Sequence, residues 1–266
     1  PRCDHRRPWE RSGAMTDPLF DVAGRVVFAA GAAGGIGAVL ARAFAERGAR
    51  IMVADIDVET AREVAGALPG EGHGCCLVDV RDEASCQAAV EATLGLAGRL
   101  DLLLNSVGIF RAGSALELSG EDFAETMATN VTGAFLLSRH AARAMADQGG
   151  GRMVHVASVS SQVVNPDYAA YASSKAALSH LTRVLALEWA PLGVTVNAIG
   201  PAVIVTPLVE DYLRKTGKYD YQMSRIPLGR FATAEDLIGT VLLLASPAGA
   251  FITGQTIYVD GGRTLV

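Results

Sequence analysis

Residues 25–37 read Arg-Val-Val-Phe-Ala-Ala-Gly-Ala-Ala-Gly-Gly-Ile-Gly, an apolar run that stops at a cluster of glycines. Arg25 to Ala30 has the make-up of a buried strand, while Ile36 to Arg47 carries apolar residues at helical spacing before Gly48. Glycine between a strand and a helix meets three needs: a sharp turn, close approach of backbone to a pyrophosphate, and tight helix–strand packing. A helix beginning near Gly35 also points its first N–H groups and the positive end of its dipole at any phosphate there. A plain structural bend would use the same glycines, so the rest of the chain decides.

Outward from that turn the βα alternation continues. Strands are expected at Arg50–Ala54, Gly74–Val78, Leu100–Leu104, Arg152–Ala157, Val194–Ile199 and Thr256–Val259. Helices are expected at Val58–Leu68, at Asp82–Ala97 with Asp82 as N-cap, and at Glu121–Ala146, Tyr168–Trp189 and Ala234–Ala245. Near-continuous apolar strands separated by helices describe a parallel sheet covered on both faces. Right-handed crossovers make it doubly wound, a single-domain α/β architecture of Rossmann type. Such sheets bind ligands beyond the carboxyl ends of their strands. A motif therefore carries weight when it lies just after a strand.

The 266 residues are half apolar and carry a net charge of −5. That length supports one well-buried core, and no Pro-, Ser- or charge-rich linker divides it. No cluster of Lys and Arg marks a nucleic-acid or membrane surface, and no apolar run approaches the roughly 20 residues of a membrane span. Cys3, Cys75, Cys76 and Cys86 lack metal-ligand or CxxC spacing and read as reduced thiols of a cytoplasmic protein. Residues 1–14 are polar, arginine-rich and without periodicity. They read as a disordered N-terminal extension ahead of one domain at 15–266, and they lack the apolar stretch of a secretory signal.

Asp55 ends the second strand, 18 residues after Gly37. A carboxylate there can accept hydrogen bonds from the adenosine ribose hydroxyls and would repel a 2′-phosphate. Position 34 is Gly, so the turn offers no cation to such a phosphate. Both features favour NAD over NADP. Asp79 and Val80 follow the third strand, and Asn105 and Gly108 the fourth; all would line the same edge. Asp79 could bond the adenine amino group, with Asn105 and Gly108 bordering the adenosine. Asn, Asp and Gly are also ordinary turn residues.

Tyr171 and Lys175 sit four apart in a helical segment and so share a face. A phenol titrates near 10 and is a poor base at neutral pH; a nearby ammonium would lower that value and suit it to proton transfer. Ser158, 13 residues before Tyr171, lies just past the fifth strand, where its hydroxyl could hold a substrate oxygen. Asn130 lies within a long helical segment, where its amide competes with the helix. It could hold a water linking Lys175 to solvent, or be an ordinary polar helix residue.

Together these residues resemble the short-chain dehydrogenase/reductase family, from about Arg25 to Gly262. The likeness rests on Gly31-xxx-Gly35-Ile36-Gly37, Asn105-xx-Gly108, Asn130, Ser158 and Tyr171-xxx-Lys175. The run Val196-Asn197-Ala198-Ile199-Gly200-Pro201, Ile252-Thr253-Gly254-Gln255 and Val259-Asp260-Gly261-Gly262 extend it. The resemblance implies Tyr171 as general acid/base, with Lys175 lowering its pKa and binding the nicotinamide ribose. It implies Ser158 orienting substrate and Asn130 completing a proton relay. Pro201 would border the cofactor, the backbone of Ile204 would meet the carboxamide, and Thr206 would lie near the carboxamide or phosphates. Members are often homotetramers. Ala30, Ser106, Val107 and Ala202 depart from the usual Thr, Asn, Ala and Gly, which implies modest changes in cofactor affinity. Tyr168 has Ala at its i+4 position and reads as pocket lining.

Substrate choice falls to the least patterned segments, 159–167 and 207–226. The second holds Tyr212, Lys215, Lys218, Tyr219, Tyr221 and Arg225, a polar mixture suited to a lid. With similarity of 230–262 to polyol and sugar-acid dehydrogenases, this favours a small polyhydroxy alcohol and NAD. The rival readings are an NADPH-dependent 3-oxoacyl-carrier-protein reductase, opposed by Asp55 and Gly34, and a non-catalytic dinucleotide sensor, opposed by the presence of Tyr171 and Lys175.

Overall fold

A computed structural model describes residues 17–204 and 213–266. Seven parallel strands form one sheet: β1 Val26–Ala30, β2 Arg50–Asp55, β3 Gly74–Leu77, β4 Leu102–Asn105, β5 Gly151–Val156, β6 Val194–Pro201 and β7 Thr256–Val259. Their spatial order is β3-β2-β1-β4-β5-β6-β7. The direction of winding reverses between β1 and β4, which opens a crevice at their carboxyl ends. Register aligns that edge, with Ala30 beside both Ala54 and Asn105, and Asn105 beside His155.

The strands are apolar on both sides because helices cover both faces. On one face α1 (Gly35–Ala45) and α8 (Ile238–Ala245) pack Leu40, Phe44 and Val241 against Val27, Leu102, Val154 and Ile199. On the other, α3 (Glu83–Ala97), α5 (Gly133–Asp147) and α6 (Ala169–Trp189) pack Val90, Leu137, Met145 and Leu185 against Phe28, Leu103, Met153 and Val196. Each such buried side chain contributes about 1.5–3 kcal/mol. The remaining helices are α2 (Val58–Gly66), α4 (Gly120–Met127) and α7 (Tyr219–Ser224).

Asp82 does cap α3, accepting from the Ala84 N–H. Gly48 follows α1 with φ +80° and turns the chain into β2. Two expected helices differ from expectation. The segment 121–146 is not one α-helix: α4 and α5 are joined by a π-helical turn at Ala128–Thr132. Asn130 lies at its centre, and its side chain bonds to another segment instead of its own helix. Such a widened turn is the usual answer to a residue displaced from the α-helical ladder. The segment expected at Ala234–Ala245 begins as a 3₁₀ turn over Ala234–Leu237, started by a capping box between Thr233 and Asp236. The expected extension at residues 1–14 lies outside the described residues.

Candidate active site

The glycine turn leaves β1 at the crevice. Gly31 has φ +73°, and a Cβ there would sit 2.7 Å from the Val107 nitrogen. At Gly37 a Cβ would come within 2.3 Å of the Gly31 oxygen and 2.4 Å of Ser106 Oγ. Both positions therefore need glycine, one for conformation and approach, the other for space alone. Gly35 has φ +54° and opens α1, whose N-terminus has no side-chain cap. Its first N–H groups are thus left for an anion. Ile36 follows and lines the cleft beyond.

Asp55 sits at the end of β2, as expected, and one oxygen accepts from the Ala33 N–H at 3.1 Å. The carboxylate so braces the turn from the side where a ribose would lie. Ser106 was not singled out as functional by its sequence, yet its hydroxyl bonds to the Ala30 and Gly31 oxygens at 2.8 and 3.0 Å. It fastens the β4 end to the glycine turn.

Four expected lining residues fall differently. Both Asp79 oxygens accept from the Arg81 guanidinium, so an adenine contact would compete with that ion pair. The Arg81 bond holds the Asp79 carboxyl below its usual range, against burial. Val80 is buried, packed against the point where α5 begins at Gly133. The Asn105 side chain turns inward: its oxygen accepts from the Val107 N–H and its amide faces His155 Nδ1 at 3.4 Å. Its side chain thus shapes the loop that follows β4. Gly108 lies at the other end of the site from the expected adenosine. A Cβ there would be 3.2 Å from Lys175 Nζ and 3.3 Å from Asn130 Oδ1.

Tyr171 and Lys175 lie one turn apart on α6, and Ser158 just past β5. The Ser158 hydroxyl lies near the Tyr171 phenol, and Lys175 Nζ lies 5.7 Å from the tyrosine ring centre. Lys175 is buried and donates to the Val156 oxygen at 2.8 Å. Burial brings its ammonium down to about 8. The expectation that this ammonium lowers the phenol's pKa is not met. Burial raises Tyr171 above its ordinary value, the nearby Ser158 hydroxyl opposes that only in part, and Tyr168 adds to the rise.

Asn130 joins the group in an unexpected manner. Its amide donates to the Ile109 oxygen at 3.0 Å and to Ser174 Oγ at 2.9 Å, while its oxygen accepts from the Ile109 N–H at 2.8 Å. Ser174 in turn donates to the main-chain oxygen of Tyr171 at 2.7 Å. Both amide protons are committed, so the side chain pins the chain after β4 to α6.

These groups lie at the base of a cleft of about 570 Å³. Pro201, Ala202 and Ile204 form one wall, with Ile204 held by a bridge to Ala232. Thr206 lies outside the described residues. Tyr168 lines the cleft, as expected, and packs edge-on against Phe110, as does Tyr171. Of the segment expected as a lid, residues 207–212, with Tyr212, lie outside the described residues; the rest differs from its reading. Leu213, Gln222 and Ile226 line the cleft; of the expected polar residues, Lys218 pairs with Asp167, Tyr219 packs on Phe231, and Arg225 bonds the Val266 oxygen. Asn165, within the 159–167 segment expected to choose substrate, and Arg263, which was not expected, also line it and bond each other at 3.3 Å. Nothing local in the sequence marks Arg263, because only the fold brings it to Asn165. Among the described residues no His/Cys/Asp/Glu group could hold a metal, and no helix is long and apolar enough to cross a membrane.

Comparison with known proteins adds to this geometry. The sequence model of a family described as enoyl-(acyl carrier protein) reductase matches residues 31–264. The D-threitol dehydrogenase of Mycolicibacterium smegmatis is 39% identical over 248 residues, 92% of this chain and 95% of that protein. The NAD-dependent glycerol dehydrogenase of Listeria innocua serovar 6a is 35% identical over 250 residues, 94% of this chain and 97% of that protein. The crystal structure of a gluconate 5-dehydrogenase from Burkholderia cenocepacia J2315, in complex with NADP and tartrate, matches with a TM-score of 0.88 at 32% identity. That match covers 94% of this chain and 98% of the other. The chain belongs to the short-chain dehydrogenase/reductase family and is an oxidoreductase that transfers hydride between a nicotinamide cofactor and a secondary alcohol or ketone.

Proposed function

We propose that the protein oxidises a secondary hydroxyl of a small polyol or sugar-derived substrate with NAD, and reduces the matching ketone in reverse. The observation that carries this reading is the meeting of Tyr171, Ser158 and Lys175 at the base of a cleft beside the glycine turn. Ser158 holds the substrate oxygen and Tyr171 takes or returns its proton. Lys175, buried one helical turn from the phenol, would hold the nicotinamide ribose beside it.

The cradle fits a dinucleotide on structural grounds, since α1 begins without a side-chain cap and the space beside Gly34 and Gly35 is open. Gly31, Gly35, Ile36 and Gly37 would hold the pyrophosphate and Asp55 the adenosine ribose, with Asp79, Val80 and Asn105 supporting that end. Gly108, Tyr171, Lys175, Pro201, Ile204 and Thr206 would hold the nicotinamide end. Bound nicotinamide accepts or returns the hydride. The Asp55 charge beside the turn supports NAD over NADP, and weighs against an NADPH-dependent 3-oxoacyl-carrier-protein reductase. Ser160, Asn165, Tyr168 and Gln222 line the cleft with hydroxyl and amide groups suited to a polyhydroxy substrate. The similarity to threitol and glycerol dehydrogenases supports the same class. Exposed Val184 and Leu187 on α6 support assembly as a homotetramer. The free thiols of Cys75, Cys76 and Cys86 support a reducing, cytoplasmic setting.

The test follows absorbance of reduced nicotinamide with a panel of polyols, secondary alcohols and ketones, each with NAD(H) and NADP(H). Polyol oxidation with NAD, lowered about 10²–10⁴-fold by Tyr171→Phe, is the expected result. NADPH-preferring reduction of acyl ketones would overturn it.

A further inference from the structure

At the opposite end of the sheet, the amino ends of β1, β4, β5 and β6 frame a second cavity of about 320 Å³. Its walls carry three guanidiniums, Arg25, Arg99 and Arg152, and one carboxylate, Asp101. Asp101 is buried and accepts from Arg99 Nε at 2.8 Å, from Arg25 at 3.2 Å and from the Val26 N–H at 2.8 Å. Burial works against its charge, and these donors outweigh burial and hold the carboxyl below its usual range.

Asp101 thus answers Arg25 and Arg99, and among the described residues no acceptor answers Arg152 Nη1. The strand register sets Arg152 beside Leu102 on β4 and Thr195 on β6. Its Nη1 is buried without a partner among the described residues, and so is Thr195 Oγ1. Burial and the nearby Arg25 charge both disfavour the Arg152 cation. Arg152 is half-buried, and the cavity it lines carries two positive charges in excess.

We propose that this cavity binds a phosphate-type oxyanion, free or as a monoester, held by Arg152, Arg25 and Thr195. Guanidinium N–H pairs match the spacing of oxyanion oxygens, and a dianion answers the excess charge where a single carboxylate would not. The volume leaves room beside the phosphate for a small organic group. Six residues separate Arg152 from Ser158 along an extended chain, about 20 Å, so the site is distinct from the cofactor cradle.

The experiment titrates inorganic phosphate, and separately glycerol 3-phosphate, into the full chain by calorimetry. Ionic strength is held constant with chloride, with and without saturating NAD. Saturable one-to-one binding that NAD does not displace is expected, weakened about tenfold or more by Arg152→Met and by Arg25→Met. Arg25→Met, at the exposed rim, keeps the test valid if Arg152→Met fails to fold. Tighter binding of glycerol 3-phosphate assigns the site to an ester, and equal binding to free phosphate. Absence of saturable binding, displacement by NAD, or equal affinity in folded variants and wild type would overturn the proposal.

Discussion

Lys175 Nζ donates to the main-chain oxygen of Val156 at 2.8 Å, and Val156 ends the strand that delivers Ser158. One bond thus ties the face of α6 that carries Tyr171 to the strand end that carries Ser158. The same ammonium lies where a Cβ on Gly108 would touch it. Three segments far apart in sequence are fixed around one buried charge.

That charge has a consequence for stability. The ammonium's ordinary value of 10.5 falls to about 8 through burial. Between those values the unfolded chain keeps a proton that the folded chain has released, so unfolding free energy rises with pH across that window, by about 3 kcal/mol in all. Lys175→Met should flatten this rise in urea unfolding followed from pH 7.5 to 10.5, while sharply lowering turnover. An unchanged slope in the variant would refute the assignment of the rise to Lys175.

His155 gives the opposite limb. Burial, with a smaller push from Lys175, lowers it from 6.5 to about 4. Its Nδ1 faces the Asn105 amide and its Nε2 faces Ser138, whose hydroxyl donates to Ala134. The network therefore assigns a neutral ring with the proton on Nε2. As pH falls through 6.5 the unfolded chain gains a proton that the fold refuses until about 4, and stability drops by about 3 kcal/mol over that interval. His155→Gln is expected to reduce the acid sensitivity measured by thermal unfolding between pH 6.5 and 4.5. A parallel loss in both proteins would place the acid limb elsewhere.

The parts of the site read correctly from sequence are those set by local backbone chemistry. The glycines at 31 and 37 announce a turn without side chains, and the four-residue spacing of Tyr171 and Lys175 announces a shared helical face. Strand ends were legible because apolar runs stop abruptly at Asp55, Asn105 and Ser158. The misread parts depend on which way a side chain turns. Asn105 and Asp79 sit at the expected edge but spend their polar atoms on His155 and Arg81. Asn130 signals a break in helix periodicity, yet only the fold reveals that Ile109 receives its amide. The lid's composition suggested a polar face, whereas packing of Tyr219 on Phe231 leaves Leu213 and Ile226 toward the cleft.

Asp55 tests the cofactor assignment. Its oxygen holds the Ala33 N–H at 3.1 Å, which fixes a negative charge beside the turn. Asp55→Asn keeps an acceptor in the same place and removes the charge. The ratio of kcat/KM for NAD over NADP should fall by about tenfold or more, chiefly through a lower KM for NADP. A ratio unchanged within twofold would remove Asp55 from the discrimination.

The glycine turn yields a sharper contrast. Gly37 and Gly34 lie three residues apart and look interchangeable in the sequence. Gly34 has extended backbone at φ −169°, and a Cβ there meets nothing within 4 Å. Gly37 has ordinary helical backbone, yet its Cβ would come 2.3 Å from the Gly31 oxygen and 2.4 Å from Ser106 Oγ. The serine could rotate away, but the Gly31 oxygen belongs to backbone fixed between β1 and β2 by the Gly31 N–H bond to Ala54. Relief must therefore come from moving α1 away from β1, which displaces the N–H groups that would face the pyrophosphate. Gly34→Ala should leave NADH affinity, read by fluorescence titration, within about twofold of wild type. Gly37→Ala should weaken it by about 10–100-fold, as overpacking of 1–3 kcal/mol implies. Equal affinities in the two variants would mean that the close approach at Gly37 does not shape the cradle.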